Sequence, residues 1–367
     1  MNIREVAAKC SKCGYCNVCP TYRIEGWESV SPRGKMQIAL AFLNGDIKID
    51  AKTVKDIFKC SVCGLCEEVC PVDLPLISFW EELRYELTKR GYAPLSVHKK
   101  LKEITYRHFN PYSGEQEKRD EWVDFEIKPA KTLYFAGCTA SFKLQNLAKA
   151  TANALSKLGI EFTVAGRNEY CCGSPFLRTG QRDIFEKLFE KNFRYWEKAG
   201  IERIITSCPG CYRTLSLDYP KIAEEKGYEF NIEVVHTVSI LEREGKFEKI
   251  EKVKGTYHDP CHLGRHMGMY DEPRNVIRKL GIDFVEMERV REHSLCCGAG
   301  GGLRSQFKEI SFEIGRQRVL EAMETGAEYL ITCCPFCEYH LSKSAEKLGN
   351  KIKVVDLVEI AEKLISL

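Results

Sequence analysis

The chain has 367 residues, 19 of them cysteine, with 55 Lys+Arg against 52 Asp+Glu and a formal net charge of +3. That length carries two or three domains, and 44% hydrophobic with 29% charged residues excludes a disordered chain. The balanced charge leaves no broad basic field for nucleic acid, and no apolar run approaches the roughly 18 residues of a membrane span.

No signal peptide fits ahead of Cys10, so the expected compartment is the cytoplasm, peripheral to a membrane only through a partner. Cysteine this abundant in a reducing compartment points to metal rather than disulfides. The first cysteine run is Cys10, Cys13, Cys16 and Cys19, followed by Pro20. Helical spacing of Met36, Ile38, Ala41 and Phe42 predicts a helix over 32–44. The second run, Cys60, Cys63, Cys66, Cys70 and Pro71, spells C-x2-C-x2-C-x3-C-P, the bacterial ferredoxin pattern for a [4Fe–4S] cubane.

In two-cluster ferredoxins the fourth cysteine of each run ligates the other cluster. Cys10, Cys13, Cys16 and Cys70 are therefore one expected set, and Cys60, Cys63, Cys66 and Cys19 the other. The first run is one residue short before Cys19, a departure from the pattern. A pair of zinc ribbons is the alternative, but zinc does not call for two runs of four ending in proline. A further helix over 77–89 buries Phe79, Leu83 and Leu87, and the polar stretch 112–131, with Gly114 and Pro129, reads as a linker.

From 132 onward the chain repeats itself. Lys157 to Phe162 answers Lys279 to Phe284, Tyr170-Cys171-Cys172-Gly173 answers Leu295-Cys296-Cys297-Gly298, and Ile205 to Cys211 answers Ile331 to Cys337. Each unit reads strand, helix, strand, Cys-Cys-Gly loop, helix, strand, Cys-Pro-x-Cys, helix, strand, which implies a largely parallel sheet. Cys138, Cys208, Cys261 and Cys334 each follow a predicted strand, where ligand chemistry collects. The candidate sets are Cys138, Cys171, Cys172, Cys208 and Cys211 in one unit, and Cys261, Cys296, Cys297, Cys334 and Cys337 in the other. Only Cys333 is left over. Five thiols exceed both tetrahedral zinc and an ordinary cubane.

Around Cys261, His258, His262 and His266 fall at i, i+4 and i+8, so one helical face could present all three as proton donors beside the second set. Pro260 works against that helix, and plain backbone hydrogen bonding is the competing role. His258, His262, Cys296 and Cys297 are the catalytic candidates. Gly298, Gly300, Gly301 and Gly302 lack the Lys-Ser/Thr of a phosphate loop and suit close backbone approach to a cluster. Arg178, Arg265 and Arg304 are candidates for an anionic substrate, against the commoner solvated arginine.

The two cysteine patterns, with HDPCHLGR opening the second copy and CCGAGGG inside it, resemble the CCG-domain iron–sulfur proteins, and among them the D-type subunits of heterodisulfide reductases. The resemblance implies an N-terminal helical two-[4Fe–4S] ferredoxin-like domain over 1–111, the linker 112–131, and duplicated α/β CCG units over 132–253 and 254–367. The fold class is then mixed α+β and α/β. It implies two cubanes and two noncubane [4Fe–4S] clusters, each noncubane on five cysteines, facing each other across a disulfide substrate. Zinc replaces one such cluster in some relatives. A CoM-S-S-CoB type heterodisulfide is the implied substrate, with electrons from a membrane cytochrome b, a flavoprotein or a hydrogenase-type partner. The rival expectation is an electron-transfer subunit of a flavin-dependent dehydrogenase acting on lactate, glycolate, glycerol-3-phosphate or an acyl-CoA.

Overall fold

The computed structural model describes residues 1–250 and 253–366; residues 251, 252 and 367 of the expected units lie outside the described residues. The N-terminal third is helical. The helix Pro32–Asn44 begins where Ser31 accepts the Gly34 N–H at 2.9 Å and Pro32 presets the first turn, and it stops at Gly45 with φ +85°. Helix Leu76–Lys89 buries Phe79, Trp80, Leu83 and Leu87 together with a charged residue, Arg84. Each large apolar side chain buried there contributes about 1.5–3 kcal/mol.

The repeat forms two parallel sheets. In the first unit β1 (Thr132–Tyr134), β2 (Arg203–Thr206) and β3 (Glu233–His236) lie in the order β1-β2-β3, with Leu133 opposite Ile204 and Ile204 opposite Val234. In the second, β4 (Lys254–Tyr257), β5 (Asp283–Phe284), β6 (Tyr329–Thr332) and β7 (Lys353–Asp356) take the order β5-β4-β6-β7. The expected second strand of the first unit reduces to one bridge, Leu133 to Thr163. The last three residues of β2 and β6, Ile204–Ile205–Thr206 and Leu330–Ile331–Thr332, are consecutively buried, as in strands covered on both faces.

One apolar core spans both units. Tyr134, Ala148, Leu155 and Ile205 from the first pack in one cluster with Tyr257, Val276, Leu280, Ile331 and Leu357 from the second. Helix Gln145–Lys157 packs on helix Leu357–Leu364, and Lys157 Nζ pairs with Glu362 at 2.9 Å.

The stretch 112–131, expected as a linker, is packed against the first unit. Trp122 is buried in the shared core, and Arg119 is 1% exposed. Its polarity misleads because the charge is paired inside, with Glu169 fifty residues away. Among the described residues no helix is long and apolar enough to cross a membrane.

Candidate active site

The carboxyl ends of the strands deliver the cysteines: β1 runs towards Cys138, β2 to Cys208, β4 towards Cys261 and β6 to Cys334. The Cys-Cys-Gly loops supply the rest. Gly173 and Gly298 have φ of +85° and +89°, a conformation that side chains disfavour and that turns the chain away just after each cysteine pair. In the first unit Cys172 and Cys211 sulfurs are 3.4 Å apart, and in the second Cys297 and Cys337 are likewise 3.4 Å apart. Cys138 meets Cys171, and Cys261 meets Cys296. Cys208 meets Cys211 and, across the two units, Cys334.

Thiols this close cannot all ionise without a cation between them. Contact with Cys171, then burial, pushes Cys138 up, whereas contact with Cys211 and Cys334 pulls Cys208 down. All 19 cysteines are free of disulfides. Five adjoining thiols in a buried setting fit a polynuclear iron–sulfur group better than a single zinc, which takes four.

Both sets border one cavity of about 330 Å³. Cys138, Cys171, Cys172, Cys208 and Cys211 line it from the first unit, and Cys261, Cys297, Cys334 and Cys337 from the second. Cys296 is absent from that wall. It turns the other way, where contact with Cys296 pushes the Cys63 thiol up. Cys63 itself lies with Cys19, Cys60 and Cys66 around a second, smaller space beside Trp80. Cys10, Cys13 and Cys16 sit together at the surface end, with Cys13 exposed. Cys70, like Cys10, Cys16 and Cys60, is half-buried against the N-terminal core.

The three histidines do not share a helical face. Residues 261–267 form successive turns, as expected once Pro260 forbids a helix through that point. His258 is fully buried, its Nδ1 accepting from Arg318 Nε at 3.1 Å, and a ring nitrogen lies within 4.8 Å of the Cys297 and Cys337 sulfurs. His262 borders the cavity and stacks on His266 with ring centres 4.4 Å apart. Burial, reinforced by the Arg213 and Arg178 charges, holds His262 well below the ordinary histidine value, so its ring is neutral.

The three arginines part company. Arg178 is consumed by Glu81 at 2.7 Å and Asp218 at 2.5 Å. Arg265 donates to the carbonyls of Cys63, Glu292 and Ser294. Arg304 alone of the three lines the cavity without a carboxylate partner among the described residues.

Two further arginines carry the site. Arg84 donates to the carbonyls of Arg178 and Gly301 at 2.7 and 2.8 Å and to Cys60 at 2.8 Å, tying the N-terminal domain to both units. Arg119 donates to the Cys138 sulfur at 3.6 Å while pairing with Glu169, which also accepts the Ala136 and Gly137 N–H groups. Neither had a signal in the sequence, because the partners of both are distant along the chain.

A cysteine-rich domain family model matches residues 132–216 and again 255–342, and a 4Fe-4S dicluster domain model matches 6–74. The chain is 36% identical to the D-type subunit of the dihydromethanophenazine:CoB–CoM heterodisulfide reductase of Methanosarcina mazei, over 98% of this chain and 94% of that one. It is 34% identical to the B-type subunit of a fumarate reductase (CoM/CoB) from Methanothermobacter marburgensis, over 83% of this chain and 61% of that protein. Similarity at 31% identity extends to an EtfAB:quinone oxidoreductase of Syntrophomonas wolfei, over 83% of this chain and 46% of that protein.

Proposed function

The chain belongs to the family of CCG-domain iron–sulfur oxidoreductases that includes the D-type subunits of heterodisulfide reductases, and we propose that it reduces a heterodisulfide of the CoM-S-S-CoB type. The observation that carries this reading is one cavity bordered by all five cysteines of the first set and by Cys261, Cys297, Cys334 and Cys337 of the second. A disulfide has two sulfurs to receive, and each wall offers its own donor set.

The Cys10, Cys13, Cys16, Cys70 and Cys60, Cys63, Cys66, Cys19 sets would hold two cubanes, and the two five-cysteine sets noncubane [4Fe–4S] clusters. Bound there, such groups supply single electrons, two of which a disulfide bond needs. The chain's own residues set the route and the surroundings. Exposed Cys13 marks the end open to a donor protein, and the Cys63–Cys296 contact joins the N-terminal domain to the second unit. His262, neutral and on the cavity wall, can donate one ring N–H as a hydrogen bond to a departing thiolate, while the proton that completes the thiol comes from solvent. His258 lies behind Cys297 and orients that sulfur. The apolar wall, with Phe176 and Leu101 among its members, keeps bulk water from the reacting sulfurs.

The heterodisulfide reductase and fumarate reductase relatives are each one subunit of a larger enzyme, so a separate protein is the expected donor here. The test is reduction of the CoM–CoB heterodisulfide by anaerobically purified, iron-replete chain with reduced viologen. Turnover supports the reading, and its loss in a Cys296→Ser, Cys297→Ser double variant assigns it to the second set. Absence of turnover at about sixteen iron per chain would transfer the assignment to an electron relay, as the EtfAB:quinone oxidoreductase relative suggests.

A further inference from the structure

Lys35 stands where a lysine is out of place. It is 1% exposed, and lysine is almost never buried without a charged partner. It lies one turn into the helix Pro32–Asn44, near the end whose dipole is positive, so the backbone disfavours a cation there. Its Nζ donates to the Lys59 carbonyl at 2.7 Å. An ammonium has three N–H groups, and among the described residues no carboxylate pairs with this one. The acids nearby are taken: Glu25 and Asp56 both pair with Lys59, at 2.6 and 3.3 Å.

What Lys35 borders instead is the space shared by Cys19, Cys60, Cys63 and Cys66. Among the described residues no aspartate or glutamate lines it, so the four sulfurs are the groups there that can carry negative charge. Burial pushes the Cys19 thiol up to about 11, and the Lys35 charge works against it. Two arginines add to the same field. Arg84, fully buried, donates to the Cys60 carbonyl at 2.8 Å, and Arg265 to the Cys63 carbonyl at 2.7 Å. Every hydrogen bond the three cations donate ends on a backbone carbonyl, so no acid cancels their charge there.

The outer set differs. Cys13 is exposed to water, and the neighbouring Arg33 is paired with Glu28 at 2.7 Å. A cubane on four thiolates is an anion that becomes more negative on reduction. Burial opposes that gain and a cation beside it favours it. We infer that Lys35 sets the reduction potential of the cubane held by Cys19, Cys60, Cys63 and Cys66, raising it above the value that burial alone would give. The inference rests on the assignment of these four cysteines to one cubane and deepens it. An electron arriving from the exposed Cys13 end is thereby favoured on the inward side, beside the Cys63–Cys296 contact. Arg84 and Arg265 also tie loops together, whereas Lys35 has a single carbonyl contact, so its charge can be removed with the least loss of structure.

The test titrates the full, iron-replete chain anaerobically with redox mediators and follows each cluster by electron paramagnetic resonance. The signal removed by Cys66→Ser identifies the inner cubane, and the signal removed by Cys13→Ser the outer one. K35Q keeps an N–H for the Lys59 carbonyl and removes the charge. It should lower the inner midpoint by at least about 59 mV, a tenfold shift in a one-electron equilibrium, and leave the outer one unmoved. K35R should restore most of the difference. An inner midpoint unchanged in K35Q overturns the inference, and so does an equal shift of both cubanes. Loss of iron from K35Q and K35M alike overturns it as well, because Lys35 is then a structural support. If Cys66→Ser removes no signal from the wild-type spectrum, the cubane assignment itself falls and takes the inference with it.

Discussion

His236 and Asp356 occupy matching ends of the closing strands β3 and β7, and each caps the helix that follows. Asp356 Oδ1 accepts the Val358 N–H at 3.0 Å, and His236 Nδ1 accepts the Val238 N–H at 3.2 Å. The histidine's other nitrogen donates to the Ser207 carbonyl at 3.1 Å. Both ring nitrogens are thus committed in the neutral form, and a second proton would set one N–H against another. Burial holds His236 down at about 4. The unfolded chain takes up that proton near pH 6.5 and the folded chain does not, so stability is full above 6.5 and falls as the pH drops towards 4. Between pH 7.5 and 5 this one group should cost about 2 kcal/mol. His236→Asn keeps an oxygen to cap Val238 and should lose correspondingly less, measured by urea denaturation at the two pH values. Equal losses in both proteins would show that the imidazole is not held neutral.

At the scale of an element, the glycine loop after Cys297 is where the second unit meets the N-terminal domain. A Cβ on Gly301 would come within 2.6 Å of the Cys60 carbonyl oxygen and 2.7 Å of the Ser61 carbonyl carbon, at φ +59°. Those neighbours are backbone of a cysteine-bearing loop and cannot rotate aside. Gly301→Ala should therefore lower iron content and cut stability by about 1–3 kcal/mol. Gly26→Ala is the control: its φ is +72°, but nothing lies within 4 Å, so only the backbone cost of about 1 kcal/mol applies. Thermal melting and iron analysis of both variants check the difference, and equal behaviour would contradict the close approach. The sequence reads the glycine stretch as backbone close to a cluster, whereas the neighbours that the fold shows at Gly300 and Gly301 are the Cys60 and Ser61 backbone.

Across the whole molecule, the internal repeat and the strand ends carried most of what could be read in advance. Strands alternating with helices imply a parallel sheet, and cysteines placed just beyond strand ends such as Thr206 then converge on one edge. Long-range charge was invisible. Nothing near Arg84 or Arg119 in the sequence marks them, because their partners, Gly301 and Glu169, lie far along the chain. The two units also look separable in sequence, although Tyr134 and Tyr257 share a core. A chain divided near residue 245 should give halves that do not melt cooperatively alone, and circular dichroism of each half against the intact protein tests this. A sharp transition in the second half by itself would mean the common core is dispensable.

That common core also governs how a ligand gets in. Jaws that open need a hinge behind them, and behind this cavity lie Ile205, Ile331 and Leu357, packed in one continuous cluster. Rocking one unit away from the other would bring that apolar surface into water at about 25 cal/mol for each Å². The gap between the cysteine walls is therefore of fixed gauge, closer to a slot than to a clamp. On the proposed reading a disulfide would slide in from the rim past the loops, and thickness would be read before any chemical group.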